Sequence, residues 1–218
     1  MRKYKIHRLS FTVLVGCLLV SFQSKAQEVE NDFQYRTNLK ISYKPIKDVK
    51  INFTPEIRFG DQFQFDQYLV EWEVVYSPLK RFNLGASYQF KGNKTGSGDF
   101  ENRNKYALFI EANKKLKRFT PSLKMSYTNS ADDDLKSHFL RYKASIDYNI
   151  RKSKLTPEIS LEAFHDLGVN DFYKMRYTAG INYKIFKNNS IGIGYKLDYY
   201  LQEYHNKHIF SIGYKFKF

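Results

Sequence analysis

From Asn31 onward, hydrophobic and polar residues alternate along the chain with a period of two. In the second such segment, for example, Ile51 and Phe53 alternate with Lys50 and Asn52. Alternation of this kind is typical of β-strands that have one apolar and one polar face, and no segment of any length shows helical periodicity. The pattern predicts eleven strand segments, at residues 33–43, 49–59, 68–76, 82–90, 105–113, 119–127, 138–149, 155–164, 173–185, 190–200 and 207–218.

The connections between these segments alternate in length. Short turns are predicted at residues 45–48, 78–81, 114–118, 150–154 and 186–189, and longer polar links at 60–66, 91–100, 128–136, 165–171 and 201–206. Short turns at one end and longer loops at the other are typical of an up-and-down outer-membrane barrel, with the turns in the periplasm and the loops outside. The segments also match the roughly 9 to 11 residues that a tilted strand needs to cross a bilayer.

The apolar face is aromatic near the segment ends and aliphatic between them. The aromatic positions include Tyr43, Phe59, Tyr76, Phe90, Tyr127, Tyr148, Tyr183 and Tyr199. Aromatic girdles around an aliphatic band are typical of a lipid-facing surface, on which we expect Leu84, Leu108, Ile146 and Ile193. The alternative is a soluble periplasmic binding barrel with this face inside, but a small barrel interior would be overcrowded by so many aromatic rings.

The predicted fold class is therefore all-β: an antiparallel, up-and-down transmembrane β-barrel of about 10–12 strands. Eleven segments can be counted, whereas bacterial single-chain barrels have an even number of strands, which places both termini in the periplasm. Either the first segment is not a full wall strand, which leaves ten, or one near the N-terminus is missed, which makes twelve.

The N-terminal segment predicts secretion. Arg2, Lys3, Lys5 and Arg8 precede an apolar run, and Ser24 and Ala26 stand at the positions of a small-residue cleavage site. These features indicate a signal peptide at residues 1–26 and a single barrel domain at 27–218, located in the cell outer membrane after cleavage. Cleavage removes five of the 36 basic residues and none of the 22 acidic ones, so the net charge falls from +14 to +9, or 31 against 22.

Cys17 is the single cysteine, and it lies inside the apolar run, so the mature chain can form no disulfide. The run Leu14-Val15-Gly16-Cys17 is similar to a lipoprotein cleavage box, an alternative in which a lipidated Cys17 would begin the mature protein. Because Cys17 is followed by Leu18, Leu19 and Val20 instead of a polar tether, we favour ordinary cleavage after Ala26.

The C-terminal strand ends Gly213-Tyr214-Lys215-Phe216-Lys217-Phe218. This alternating aromatic end resembles the signal that the barrel assembly machinery reads during biogenesis. The expected partners are this machinery, through the strand that ends at Phe218, together with outer-membrane lipid and lipopolysaccharide, and the expected state is a monomer. No nucleic-acid partner is expected, because the basic residues alternate along strands instead of forming a patch.

Several short runs resemble one known family. They are Pro55-Glu56-Ile57-Arg58-Phe59, Phe100-Glu101-Asn102-Arg103, Pro157-Glu158-Ile159-Ser160-Leu161-Glu162-Ala163-Phe164, Arg176-Tyr177-Thr178-Ala179-Gly180 and the C-terminal end. In their order and spacing, these runs resemble the outer-membrane barrels of domain-of-unknown-function family 2490, and the resemblance covers nearly the whole mature chain. It implies an outer-membrane barrel and no established activity.

The polar face carries charges of both signs, which would point into the lumen. The candidate lumen charge network is Glu56, Arg58, Glu71, Glu73, Arg103, Arg141, Lys143, Glu158, Glu162, Lys174 and Arg176. Buried charges need partners. One interpretation is a set of ion pairs that fills a narrow lumen, and the other is a constricted pore whose charges select small solutes. The sequence leaves both open.

Enzymatic and metal-binding functions have weaker support. A lipid-modifying barrel enzyme is the alternative function, but Ser137 and His138 point to opposite faces, as do His208 and Ser211. We therefore predict a non-enzymatic protein with no catalytic, cofactor-binding or metal site. Glu203, His205 and His208 could in principle hold a metal, but histidines in loops are more often solvated. Asp132-Asp133-Asp134 could bind calcium, but this run lacks the spaced oxygen ligands and the glycine of a calcium loop, and a solvated acidic loop tip is favoured.

Overall fold

The computed structural model describes residues 30–96, 98–131 and 137–218. The predicted signal peptide, Cys17 and the acidic run at 132–134 lie outside the described residues. The strands are β1 (Glu30–Ile46), β2 (Val49–Phe59), β3 (Phe65–Leu79), β4 (Phe82–Lys94), β5 (Phe100–Asn113), β6 (Phe119–Thr128), β7 (Phe139–Tyr148), β8 (Leu155–Asp166), β9 (Asp171–Phe186), β10 (Asn189–Tyr200) and β11 (His205–Lys217). A short 3₁₀ turn, Asp61–Phe63, precedes β3. No helix in the described ranges is long and apolar enough to cross a membrane.

The eleven strands form a closed barrel in chain order, and β1 completes the ring against β11. Neighbouring strands pair antiparallel except β1 and β11, which are parallel, with Glu30 opposite His205 and Ser42 opposite Lys217. The predicted transmembrane-type barrel is confirmed, but the expectation of an even strand number was wrong. In a meander with an odd number of strands, the first and last strands run in the same direction, so only a parallel pair can close the ring.

The two ends of the barrel differ in their connections. We call the end with connections 60–64, 95–99, 129–138, 167–170 and 201–204 the loop end, and the end with 47–48, 80–81, 114–118, 149–154 and 187–188 the turn end. Glu30 lies at the loop end beside His205, whereas β11 finishes at the turn end. Because β1 begins at the loop end, the expectation of an even-stranded barrel with both termini on the turn side does not hold for the first described strand. The strands also extend into the predicted loops, so the last two loops have only four residues each.

The two faces point as the alternation predicts. Leu108 and Ile193 lie outward and are 59% and 60% exposed, and Leu84 and Ile146 are also exposed. Charged side chains such as Arg36 and Arg176 are buried on the opposite face. The alternative of a soluble barrel with an apolar interior is contradicted by this arrangement.

The inward face becomes apolar at the loop end of β7 and β8. Phe139 and Phe164 are fully buried there, together with Ala131 from the preceding loop, and Tyr173 packs against them. Phe139 and Phe164 lie two residues from Arg141 and Glu162 along β7 and β8 and point to the same inward face. On this side, aromatic side chains therefore fill the lumen at the loop end.

Candidate functional site in the barrel lumen

A buried cluster around Asp198 occupies the loop half of the lumen. The Lys174 Nζ atom lies 2.9 Å from Asp198 Oδ2, and an Arg176 terminal nitrogen donates to the same oxygen at 2.6 Å. Lys174 also lies 4.9 Å from the ring centre of Phe164 and 5.0 Å from that of Tyr200. β9 and β10 create this cluster, because Arg176 is registered directly opposite Asp198. Two cations thus share one carboxylate within an aromatic enclosure, which suits cation–π contacts.

The next pairs lie on β7 and β8. A terminal nitrogen of Arg141 lies 2.8 Å from Glu162 Oε1, and Lys143 Nζ lies 3.8 Å from Glu158 Oε1. Both pairs are diagonal, because Arg141 is registered opposite Phe164 and Lys143 opposite Glu162. Long side chains on adjacent strands can reach such diagonal partners. On the other side, Arg176 is registered directly opposite Glu162, and Lys174 and Arg176 also form ion pairs with Asp198.

A third group joins β1 and β2 near the loop end. Arg58 Nε donates to Glu56 Oε1 at 2.6 Å, and Arg36 lies 4.0 Å from the same oxygen. Arg36 and Arg58 are registered opposite each other, so Glu56 screens two like charges. Arg58 also donates to Gln67 at 3.1 Å.

Glu71 and Glu73 occupy the wall of β3. Glu73 accepts a hydrogen bond from Asn52 at 2.5 Å and one from Lys40 at 3.4 Å. Glu71 accepts a hydrogen bond from Gln89 at 3.3 Å. Lys40 lies on β1 and Glu73 on β3, so this contact passes across the inward face of β2 and links two strands that are not neighbours.

A cavity of about 430 Å³ remains at mid-lumen. Its charged lining consists of the carboxylates Glu71, Glu73, Glu158 and Glu162 and the cations Lys124, Arg141, Lys143, Arg176, Lys196 and Lys215. Gly180, Gly192, Gly194 and Gly213, on β9 to β11, also line the cavity. Their lack of side chains leaves the space, and charged side chains face it from several strands, including Lys196 and Lys215 on β10 and β11.

One aromatic side chain reaches into this cavity. Phe109 lies over Gly85 on the neighbouring strand, and a Cβ at position 85 would lie only 2.2 Å from the Phe109 ring. Lys124 Nζ lies 3.6 Å from the centre of the same ring. The lack of a side chain at Gly85 thus lets the far end of the Phe109 ring pack against the wall, and the same ring contacts Lys124.

The structure brings most of the predicted network together in these groups. Arg103 is set apart, because it pairs at 2.9 Å with the exposed Glu101 near the loop end. Sequence reasoning did not assign Asp198, Lys124 and Lys215 to the candidate network. The alternation of polar and apolar residues predicts that these three side chains point inward, but only the register of neighbouring strands shows which charges they face.

Within the described ranges, the side chains that His138, His205 and His208 contact by hydrogen bond or ion pair are not serines. His138 is hydrogen-bonded to the Tyr127 hydroxyl at 2.7 Å, and His208 to the Tyr195 hydroxyl at 2.7 Å. His205 lies 3.2 Å from Asp32. Ser137 donates to Asp166, and Ser211 donates to the Gly194 carbonyl at 3.2 Å. This arrangement provides no serine–histidine pair of the kind that activates a nucleophile.

Comparison with known proteins gives one family match and several structural matches. A family model described as "Protein of unknown function (DUF2490)" matches residues 33–207. The NanC porin in a rhombohedral crystal form is 14% identical, with a TM-score of 0.56 over 85% of this chain and 97% of that one. The KdgM porin in complex with disordered oligogalacturonate is 14% identical, with a TM-score of 0.50 over 75% of this chain and 88% of that one. No curated protein matches. At this identity, the structural likeness shows the fold.

Proposed function

We propose a role for this chain, which belongs to the DUF2490 family of unknown function, from the structure of its lumen. That role is slow passage of small solutes across the outer membrane. The observation that carries this proposal is the closed wall with an apolar outer face and a charged cavity of about 430 Å³ inside it. A cavity of that size holds water and small polar molecules, whereas a purely structural barrel could fill the same space with packed side chains.

The lumen is narrow, which limits what can pass. Lys215 on β11 donates to Asn182 on β9 at 2.9 Å, and Lys40 on β1 reaches Glu73 on β3 at 3.4 Å. Such contacts bridge strands that are not neighbours in the wall. The side chains that make them lie over the inward faces of β10 and β2 and reduce the free cross-section of the lumen, so we expect low conductance in the resting protein and passage of only the smallest solutes.

The structural comparisons support passage more than catalysis. Both similar structures are described as porins, and one is described as a complex with oligogalacturonate. The proposal therefore includes no enzymatic step. It places a monomeric barrel in the outer membrane, in contact with lipid and lipopolysaccharide and inserted by the assembly machinery through the strand that ends at Phe218.

Swelling of proteoliposomes in neutral sugars of increasing size tests the proposal. We expect slow swelling with the smallest sugar and none with oligosaccharides, together with small current steps in planar bilayers. Protein-free liposomes taken through the same detergent removal are the control. Absence of both swelling and current would show a sealed structural barrel, and hydrolysis of phospholipid by the purified protein would favour the enzyme alternative.

A further inference from the structure

Two pairs of lysines face each other in register inside the barrel. Lys124 on β6 is opposite Lys143 on β7, and Lys40 on β1 is opposite Lys215 on β11. In the closed strand order, β6 and β7 lie across the barrel from the β1–β11 seam. Like charges that are directly opposite each other repel, so two such pairs need compensation.

Carboxylates form close ion pairs with only one lysine of each like-charged pair, although Glu111 on β5 is registered opposite Lys124 on its other side. Lys143 lies 3.8 Å from Glu158, and Lys40 lies 3.4 Å from Glu73. The other two have neutral partners: Lys124 contacts the ring of Phe109, and Lys215 donates to the amide oxygen of Asn182. Within the described part of the chain, neither Lys124 nor Lys215 has a carboxylate at ion-pair distance.

Both of these lysines line the mid-lumen cavity. Lys143 lines it too, so three ammonium groups converge on one space from opposite walls. The full charged lining is six cations against four carboxylates, and one of the cations, Arg176, is held by Asp198, which lies outside this lining. Of the carboxylates, Glu158, Glu162 and Glu73 are held in ion pairs, and Glu71 is hydrogen-bonded by Gln89.

From this arrangement we infer that the mid-lumen cavity is a binding site for a small anion that bears a carboxylate or phosphate group. The anion lies between the Lys124–Lys143 pair and Lys215, and the ammonium groups of these three lysines bind its negative charge. The glycines on β9 to β11 give it room. This inference rests on the proposed function and names its solute class: the barrel passes small anions in preference to cations and neutral molecules.

The direct test is ion selectivity in planar bilayers. Under a potassium chloride gradient, the reversal potential of the wild-type protein should have the sign of chloride preference, and millimolar inorganic phosphate added to one side should reduce the chloride current. Lys124→Gln and Lys215→Gln should each move the chloride-to-potassium permeability ratio toward one and weaken the block by phosphate. Glu71→Gln removes a carboxylate from the same cavity and should raise the ratio.

Lys187→Gln is the matched control, because Lys187 is exposed in the turn between β9 and β10. It removes the same charge outside the lumen and should leave the ratio unchanged. Heat-modifiable migration on gels shows whether each variant is folded. If one lysine variant fails to fold, the wild-type selectivity, the phosphate block and Glu71→Gln still decide the question.

The outcomes separate this inference from the proposed function. Swelling in small neutral sugars with a potassium-selective current, or with no phosphate block, would overturn the anion site and leave passage intact. Absence of both swelling and current would overturn passage itself.

Discussion

Lys174 and Asp198 form an ion pair with no exposed surface, with the Lys174 Nζ atom 2.9 Å from Asp198 Oδ2. Arg176 is held by the same carboxylate. One acidic side chain thus balances two buried cations on its neighbouring strand. Removal of one partner from a buried pair leaves an uncompensated charge, which costs far more than the net contribution of the intact pair.

Asp198→Asn should therefore be the most destabilising single charge change in the barrel. We expect a loss of about 3–5 kcal/mol in the free energy of unfolding, the range typical of broken buried pairs. Urea unfolding in detergent micelles measures it. Asp48→Asn, at an exposed position in the β1–β2 turn, is the control and should change little. Equal stability of the two variants would mean that the Asp198 carboxylate does not stabilise the buried cluster.

Glu162→Ala should lower the melting temperature and open a leak through the lumen. Arg141 on β7 would lose a carboxylate at 2.8 Å, and alanine would leave space on the lumen side of β8. Because Arg141 is partly exposed, we expect a loss below the roughly 3–5 kcal/mol of a fully buried pair. Thermal melts and planar-bilayer currents check both effects. Large wild-type channels, combined with an unchanged melting temperature in the variant, would show that these charges line an open pore.

Leu108→Arg should impair folding into bilayers more than Ser145→Arg. Leu108 points outward, and a charge near the bilayer midplane on that face costs about 2–4 kcal/mol. Ser145 is hydrogen-bonded to Ser122 at 2.7 Å on the inward face, where a charge can find polar partners. The yield of heat-modifiable protein in lipid vesicles is the measurement. If the inward change proves more damaging, the faces are reversed.

Gly85→Ala should displace the Phe109 ring. The new methyl group would overlap the ring, and such overpacking costs about 1–3 kcal/mol. Gly60→Ala is the control, because nothing lies within 4 Å of a Cβ at that position. Combining Gly85→Ala with Phe109→Ala should cost less than the sum of the two single changes, since the clash is then absent. Strict additivity in unfolding experiments would argue against contact between the two residues.

The parallel closure predicts the side of the membrane on which β1 begins. An epitope inserted directly before Glu30 should bind antibody on intact cells, because Glu30 lies at the loop end beside His205. The same epitope between Lys47 and Asp48, at the turn end, should require permeabilised cells. Labelling of the first epitope only after permeabilisation would exclude a barrel that closes through a parallel β1–β11 pair.

The sequence alone determined where the strands lie and which face of each is apolar. Alternation is a local property, because successive side chains along a strand point to opposite sides whatever the strand pairs with. Leu108 and Ile193 could thus be assigned outward, and Glu162 and Arg176 inward, from their own segments. The adjacency of the strands that carry Arg141 and Glu162 also followed, since consecutive strands of a meander are neighbours.

Only the tertiary structure decided how the ring closes and which charges meet. The parallel β1–β11 pair joins the two ends of the barrel, and no local pattern encodes that contact. The roles of Asp198, Lys124 and Lys215 likewise depend on register, because a shift of two residues between neighbouring strands keeps every side chain on its face but changes its partner. Closure and register are properties of the whole barrel, since each strand must fit both of its neighbours at once.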